Sequence, residues 1–295
     1  QQGWHVVAAV RNSSARDERI VALKQQLHDS TLFSVLDLDL SDLYSVQKCA
    51  KDFLSLGLPL DALVLNAGVA GQRGLTAQGF ELTFGVNHLG HFLLTELLTS
   101  KLCQTAGSRV VTVASRAHRH ASSGIDWDDV QRPTRSLLGN HEYAVSKLAN
   151  IWFSNHLSRR LMGTGVSTYA LHPGVIRTGI WRHAPSWTKP LLAFREMLDV
   201  HEGAKTTLHC ILDAPQNETG QYYADASIAK AASMMPRSCG LRVNIFAVHF
   251  FEKVALGNLA GNQSIFIHVV NSAKSVIPIG NNHSPLFRIT NEEQR

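Results

Sequence analysis

The sequence predicts a doubly wound α/β fold built on a parallel sheet. Three observations carry this. Apolar, strand-like runs alternate with helical patterns up to about residue 225. The runs are continuous in Val, Leu, Ile and Ala, as expected of strands covered on both faces. The residues of chemical interest fall just after those runs, at Arg11, Asp39, Asn66, Ser115 and Pro173. Ligands of open α/β sheets bind at that end of the strands.

The elements follow in order. His5 to Val10 reads as a buried strand, and Asp17 to His28 as a helix with Ile20, Leu23 and Leu27 on one face. Leu32 to Leu36 is a strand, and Ser41 is placed to cap a helix running to Leu56. Leu60 to Leu65 is a strand that ends at Asn66-Ala67-Gly68. Phe80 to Leu102 is mainly one long helix, and Arg109 to Ala114 is a strand ending at Ser115. Tyr143 to Met162 is a helix, and Val166 to Leu171 is a strand that runs into His172-Pro173-Gly174. After Ile228 the periodicity is lost. The chain is therefore expected to divide into a domain over 1–228 and a tail of unassigned fold over 229–295.

Composition narrows the function classes. The 295 residues are 44% apolar and 17% charged, enough to bury a core, which excludes wholesale disorder. Net charge is +5, but the 28 Lys and Arg are scattered, with none of the clustering of a nucleic-acid face. Cys49, Cys103, Cys210 and Cys239 lack zinc or disulfide-scaffold spacing and point to a reducing, intracellular compartment. Sequons at Asn12, Asn217, Asn262 and Asn282 do not outweigh that reading. No run reaches the roughly 18 apolar residues of a membrane span.

Five local patterns carry chemistry. Tyr143-Ala-Val-Ser-Lys147 places a phenol and an ammonium one turn apart on a helix face. A nearby ammonium favours phenolate, so Tyr143 is a candidate general acid/base; an ordinary exposed pair is equally compatible with so short a pattern. Ser115 follows a strand and suits a hydrogen bond to a substrate oxygen, or a simple turn cap. Leu65-Asn66-Ala67-Gly68 lets backbone pass close to a ligand, or makes a tight turn. Asn87, within Gly85-Val-Asn-His-Leu-Gly90, is either a satisfied core amide or a kink that holds a water. Arg11, after the first strand, suits a ribose 2′-phosphate, or is solvated. His118, His120 and His172 have no metal-ligand spacing, and no metal is expected.

Together these residues resemble the short-chain dehydrogenase/reductases, and within them the retinol-dehydrogenase-like branch, which is similar to protochlorophyllide reductases and WW-domain oxidoreductases. The segments 76–92, 171–178, 202–210 and 220–223 carry the branch-level likeness, which covers about residues 1–228. It implies a Rossmann-like sheet and NADP(H), with Arg11 meeting the extra phosphate. It implies Tyr143 as proton donor and acceptor, Lys147 on the nicotinamide ribose, Ser115 orienting the substrate oxygen and Asn87 holding a relay water. Asp39 would meet the adenine; Asn66, Ala67 and Gly68 would line the adenosine side. Pro173 and Gly174 would bind the cofactor, and Thr178 would meet the nicotinamide carboxamide. No catalytic metal is implied.

The sequence departs from that family at both ends. It contains no T-G-x-x-x-G-x-G loop, and its opening residues match the end of the family's first helix and its second strand. The first strand, the phosphate loop and any preceding membrane anchor are therefore expected to be missing. The resulting expectation is an NADP(H)-dependent oxidoreductase interconverting an apolar, retinol-like alcohol and its carbonyl compound. The alternative is an inactive fragment or non-catalytic binding protein that keeps the fold. Light-driven protochlorophyllide reduction fits the 171–178 and 202–210 segments less well. Membrane association belongs to a full-length parent, and oligomeric state is not readable.

Overall fold

The computed structural model describes residues 4–11, 18–26, 29–174 and 199–231. The expectations for Thr178, for Cys239 and for all but the first residues of the 229–295 tail lie outside them.

The chain runs β1 (Val6–Val10), α1 (Glu18–Gln25), β2 (Phe33–Asp37), α2 (Leu43–Ser55) and β3 (Ala62–Leu65). A helical turn, Leu82–Phe84, leads through a π-helical turn, Gly85–Leu89, into α3 (Gly90–Gln104). Then come β4 (Arg109–Val113), α4 (Asn140–Arg160), β5 (Ser167–His172), α5 (Val200–Leu212), β6 (Tyr222–Ala224) and β7 (Ser227–Ile228). The first six strands pair in parallel, and β7 turns back antiparallel on β6, a short strand the sequence did not announce.

The sheet is divided. β1 and β2 form one pair, and β3-β4-β5-β6-β7 form a second sheet in that order. Among the described residues no strand joins β1 to β3. This corrects the expectation of a buried first strand: Val6 is 51% exposed, and Val64 of β3 is 37% exposed. Apolar strands are covered when helices lie on both faces of their sheet; among the described residues β1 and β3 are each edge strands of their own sheet.

The larger sheet is covered on both faces. Val111, Val113, Tyr169 and Leu171 point to α5, where they pack on Cys210 and Ala214. The intervening Ala114 and Ala170 point the other way, onto Ile151 of α4. Their small side chains let α4 lie close to the sheet. At the far end from the candidate site, Arg109 caps α5, its Nη1 donating to Cys210 O at 3.0 Å and Ala214 O at 2.8 Å. A cation on the last carbonyls of a helix also opposes its dipole.

One cap differs from the sequence reading. Asp42, not Ser41, caps α2, its carboxylate accepting from Tyr44 N at 3.0 Å. Ser41 instead donates its N–H and hydroxyl to Asp39 Oδ1. A carboxylate one residue nearer the helix is the stronger N-cap. Among the described residues no helix is long and apolar enough to cross a membrane.

α3 is locked to the loop after β2 through Gly90. A Cβ there would stand 2.7 Å from the backbone oxygen of Leu40, an atom that cannot move without moving the loop. In a solvent-exposed helix, Gly→Ala gains about 1 kcal/mol. Gly90→Ala is expected to lose roughly 1–3 kcal/mol instead through overpacking. Urea unfolding checks this; an unchanged or raised midpoint contradicts the contact.

Candidate active site

The site is built where β3, β4 and β5 end. β4 stops at Val113, and the chain continues through Ala114, whose N–H donates to Leu171 O at 2.7 Å. This delivers Ser115 beside the end of β5. Ser115 opens a short 3₁₀ turn, Arg116–His120. Its hydroxyl accepts from Ala117 N at 3.2 Å. Its carbonyl accepts from the N–H of His118 and, at 2.6 Å, from His118 Nδ1. Ser115 is thus fixed at both ends of the residue.

Tyr143 and Lys147 come from the first turns of α4. Gly139 precedes the helix in a left-handed conformation, φ 66°, which favours glycine. One turn on from Tyr143, the Lys147 ammonium lies 5.7 Å from the centre of the Tyr143 ring. It does not stand free: Nζ donates to Val113 O at 2.9 Å. Lys147 is only 3% exposed, and burial lowers its pKa to about 8, because a low-dielectric surrounding disfavours the charged form.

Tyr143 behaves differently from the sequence argument. Burial raises its pKa, and a hydrogen bond with Ser115 opposes the rise. Lys147 does not pull it down, because the ammonium faces the ring and is held by a strand carbonyl rather than sitting at the hydroxyl.

Asn87 sits in the π-helical turn and is fully buried. π turns recur at functional positions in helices, and the turn realises the expected kink. The amide is already occupied. Oδ1 accepts from Val69 N at 2.7 Å, and Nδ2 donates to Val69 O at 3.0 Å and Ser146 Oγ at 3.1 Å. The side chain clamps the loop after β3 to α4. The backbone carbonyl of Asn87 accepts from His91 Nδ1 at 3.1 Å.

Gly68 completes the centre. A Cβ on it would come within 3.0 Å of Asn87 Oδ1 and 3.6 Å of Lys147 Nζ. The absence of a side chain there lets the β3 loop approach the Lys147 ammonium. Asn66 and Ala67 precede it, exposed at the end of β3. Pro173 and Gly174 follow β5, with Gly174 at φ 89°. Arg11 is exposed just past β1, and Asp39 lies just past β2 with its carboxylate bonded to Ser41. Tyr143, Lys147, Ser115, Asn87 and Gly68 therefore converge, and the expected adenosine-side residues are strung along the same edge of the fold.

Sequence reasoning missed the layer behind them. His88 Nδ1 bonds Asn150 Oδ1 at 3.0 Å, and both residues are buried. Burial depresses His88 to about 4 and His91 to about 3, so the surroundings favour the neutral imidazole in both. Apolar neighbours hid them: His88 is ringed by Phe84, Phe92 and Phe153. Among the described residues no group of His, Cys, Asp and Glu is arranged to hold a metal.

The Lys147 geometry makes stability depend on pH. Its folded pKa of about 8 lies below the ordinary lysine value of about 10.4. Between the two, the unfolded chain binds more protons, so this group's contribution to stability rises with pH. Lys147→Met removes the dependence. Urea unfolding from about pH 7 to about pH 10 should move the stability difference in favour of the wild type as pH rises. A constant difference contradicts the assigned burial.

Comparison with known proteins agrees with this geometry. The family model for short chain dehydrogenases matches residues 1–126. Retinol dehydrogenase 12 of Homo sapiens is 43% identical over 194 residues, covering 65% of this chain and 60% of that protein. Retinol dehydrogenase 11 of Homo sapiens is 39% identical over 233 residues, covering 78% of this chain and 72% of that protein. The chain thus spans roughly three-fifths to three-quarters of the length of these relatives. A solved structure of an uncharacterised protein from Mycobacterium paratuberculosis superposes with a TM-score of 0.57 at 29% identity, covering 85% of this chain and 83% of that one. An NADPH-bound carbonyl reductase from chicken fatty liver shares the fold, with a TM-score of 0.57 at 18% identity, covering 77% and 88%. The chain belongs to the short-chain dehydrogenase/reductase family, in its retinol-dehydrogenase-like branch.

Proposed function

We propose that this chain carries the centre of an NADP(H)-dependent oxidoreductase that interconverts an apolar, retinol-like alcohol and its carbonyl compound. The observation that carries the reading is the convergence of Tyr143, Lys147 and Ser115 at the carboxyl ends of β4 and β5, with Gly68 packed closely against Lys147 and Asn87. The residues fit a dinucleotide on the site's own terms. Gly68 sits where a Cβ would press on Asn87 and Lys147, and the ends of β1, β2 and β3 present Arg11, Asp39 and the Asn66–Gly68 loop. The dinucleotide, when bound, supplies the hydride chemistry.

The chain's own residues supply the rest. Ser115 directs its hydroxyl to the substrate oxygen. Tyr143 gives a proton to that oxygen in reduction and takes it back in oxidation. Lys147 keeps a positive charge near the phenol and toward the nicotinamide ribose, and a lysine with a pKa of about 8 retains much of that charge at neutral pH. Arg11 pairs with a ribose 2′-phosphate, which favours NADP(H) over NAD(H). The retinol dehydrogenases among the relatives support an apolar alcohol or aldehyde as substrate.

A second reading, a non-catalytic binding protein on the same fold, is favoured by the divided sheet between β1 and β3. NADPH fluorescence titration separates the two: saturable binding supports the oxidoreductase, and its absence supports the binding protein.

Tyr143→Phe should lower turnover of retinal with NADPH by about 10²–10⁴-fold, the usual contribution of a general acid, and leave the unfolding midpoint nearly unchanged. Retained turnover refutes the assignment. Arg11→Ala should raise the KM for NADPH roughly tenfold, as expected for losing one charge-assisted phosphate contact, while the KM for NADH stays the same. An equal change for both cofactors contradicts the role given to Arg11.

A further inference from the structure

Behind Lys147 lies a chain of hydrogen bonds whose direction can be worked out atom by atom. Val113 O has only lone pairs, so both its partners must donate: Lys147 Nζ at 2.9 Å and Asn150 Nδ2 at 3.3 Å. With its amino group so used, Asn150 presents Oδ1 to His88 Nδ1 at 3.0 Å. An amide oxygen can only accept, so His88 carries its proton on Nδ1. The imidazole is wedged among Phe84, Phe92 and Phe153 with ring centres 5.1, 6.2 and 6.0 Å away. Asn150 is 1% exposed. The whole chain is dry and single-valued.

We propose that His88 and Asn150 are positioning residues for Lys147: they hold the Val113 carbonyl as a shared seat that the ammonium can rest on and leave. The inference rests on the reading of Lys147 as part of the active site. The physical reason is the cost of an orphaned acceptor. A buried carbonyl that loses its sole donor loses its compensation for desolvation. With Asn150 also donating, Val113 O stays satisfied when Lys147 swings toward a cofactor ribose. The partly positive amino group of Asn150 beside the ammonium also keeps Lys147 from being held too tightly. His88 matters because it fixes the amide: without an Nδ1–H donor, Asn150 loses the partner that keeps its amino group turned to Val113.

This differs from a role in packing alone. A packing role predicts lost stability without any change in Lys147 itself. The other groups facing Lys147 are the Tyr143 ring at 5.7 Å and His91, which is neutral, so a change in Lys147 can be traced to the seat.

The test is the titration of the Lys147 ammonium in the chain as it stands, followed by ¹H–¹⁵N NMR and assigned by its loss in Lys147→Met. In the wild type the midpoint should fall near 8. In Asn150→Leu the ammonium becomes the sole donor to Val113 O and loses the amino dipole beside it, so the midpoint should rise above the wild-type value, against the fall that the added apolar burial alone would give. His88→Phe, a substitution suited to the aromatic surround, should shift it the same way. His88→Gln, whose amide can still donate to Asn150, should restore it. The wild-type ¹⁵N spectrum should show His88 as the Nδ1–H tautomer. Where turnover is measured, Asn150→Leu should raise the cofactor KM roughly tenfold with kcat nearly constant, on the scale of one unsatisfied buried acceptor. An unmoved or lowered Lys147 midpoint in a folded Asn150→Leu or His88→Phe variant, or an Nε2–H tautomer of His88, overturns the proposal. None of these readouts involves the Tyr143 hydroxyl. Retained turnover in Tyr143→Phe would instead overturn the functional reading itself.

Discussion

The bond from Lys147 Nζ to the carbonyl of Val113 organises the site. It ties the second turn of α4 to the last residue of β4. Everything next to the centre depends on that junction. Tyr143 stands where it does because it is one turn before Lys147. Ser115 stands where it does because it follows Val113 by two residues. The ammonium is buried and burial is what shifts it, so its position is set by one carbonyl rather than by a carboxylate partner. A buried charge held in this way is costly, and it is tolerated where a site needs it.

The surrounding polar groups limit that cost. Asn87 pins the β3 loop to α4 through Val69 and Ser146, using both amino hydrogens and one lone pair of its oxygen. Asn150 and His88 close the far side of Val113. The result is a rigid back wall, made of uncharged hydrogen-bonding groups, behind a single cation. Gly68, Ser115 and Tyr143, all partly buried, stand in front of it.

Much of this was legible in the sequence. Continuous apolar runs gave away the parallel strands, since both faces of β4 and β5 are covered. The Tyr143-to-Lys147 spacing fixes one helix face, and Ser115 and Gly68 each follow a strand that ends at the site. What was not legible depends on neighbours distant in the chain. The exposure of β1 goes with its place at the edge of a two-stranded sheet, and an apolar run by itself does not say how many strands will flank it. Asp42 outcompeted Ser41 as a cap because Asp39 claimed the serine. The direction of the Tyr143 shift was misjudged because a helical spacing says nothing about the Val113 carbonyl that captures the ammonium. His88 and Asn150 stand 62 positions apart and form no local motif, and only the fold, which brings them to 3.0 Å, makes them a pair.

The central claim is that the junction of α4 with β4 and β5 is a hydride-transfer centre. The most direct measurement follows the hydride itself. The chain is incubated with retinal and NADPH carrying deuterium at the transferable nicotinamide position, and the product is examined by mass spectrometry. The account predicts one deuterium on the carbinol carbon of the alcohol, formed by the wild type and lost in Tyr143→Phe. Alcohol formed without deuterium, or no alcohol from a folded chain that binds NADPH, would contradict it.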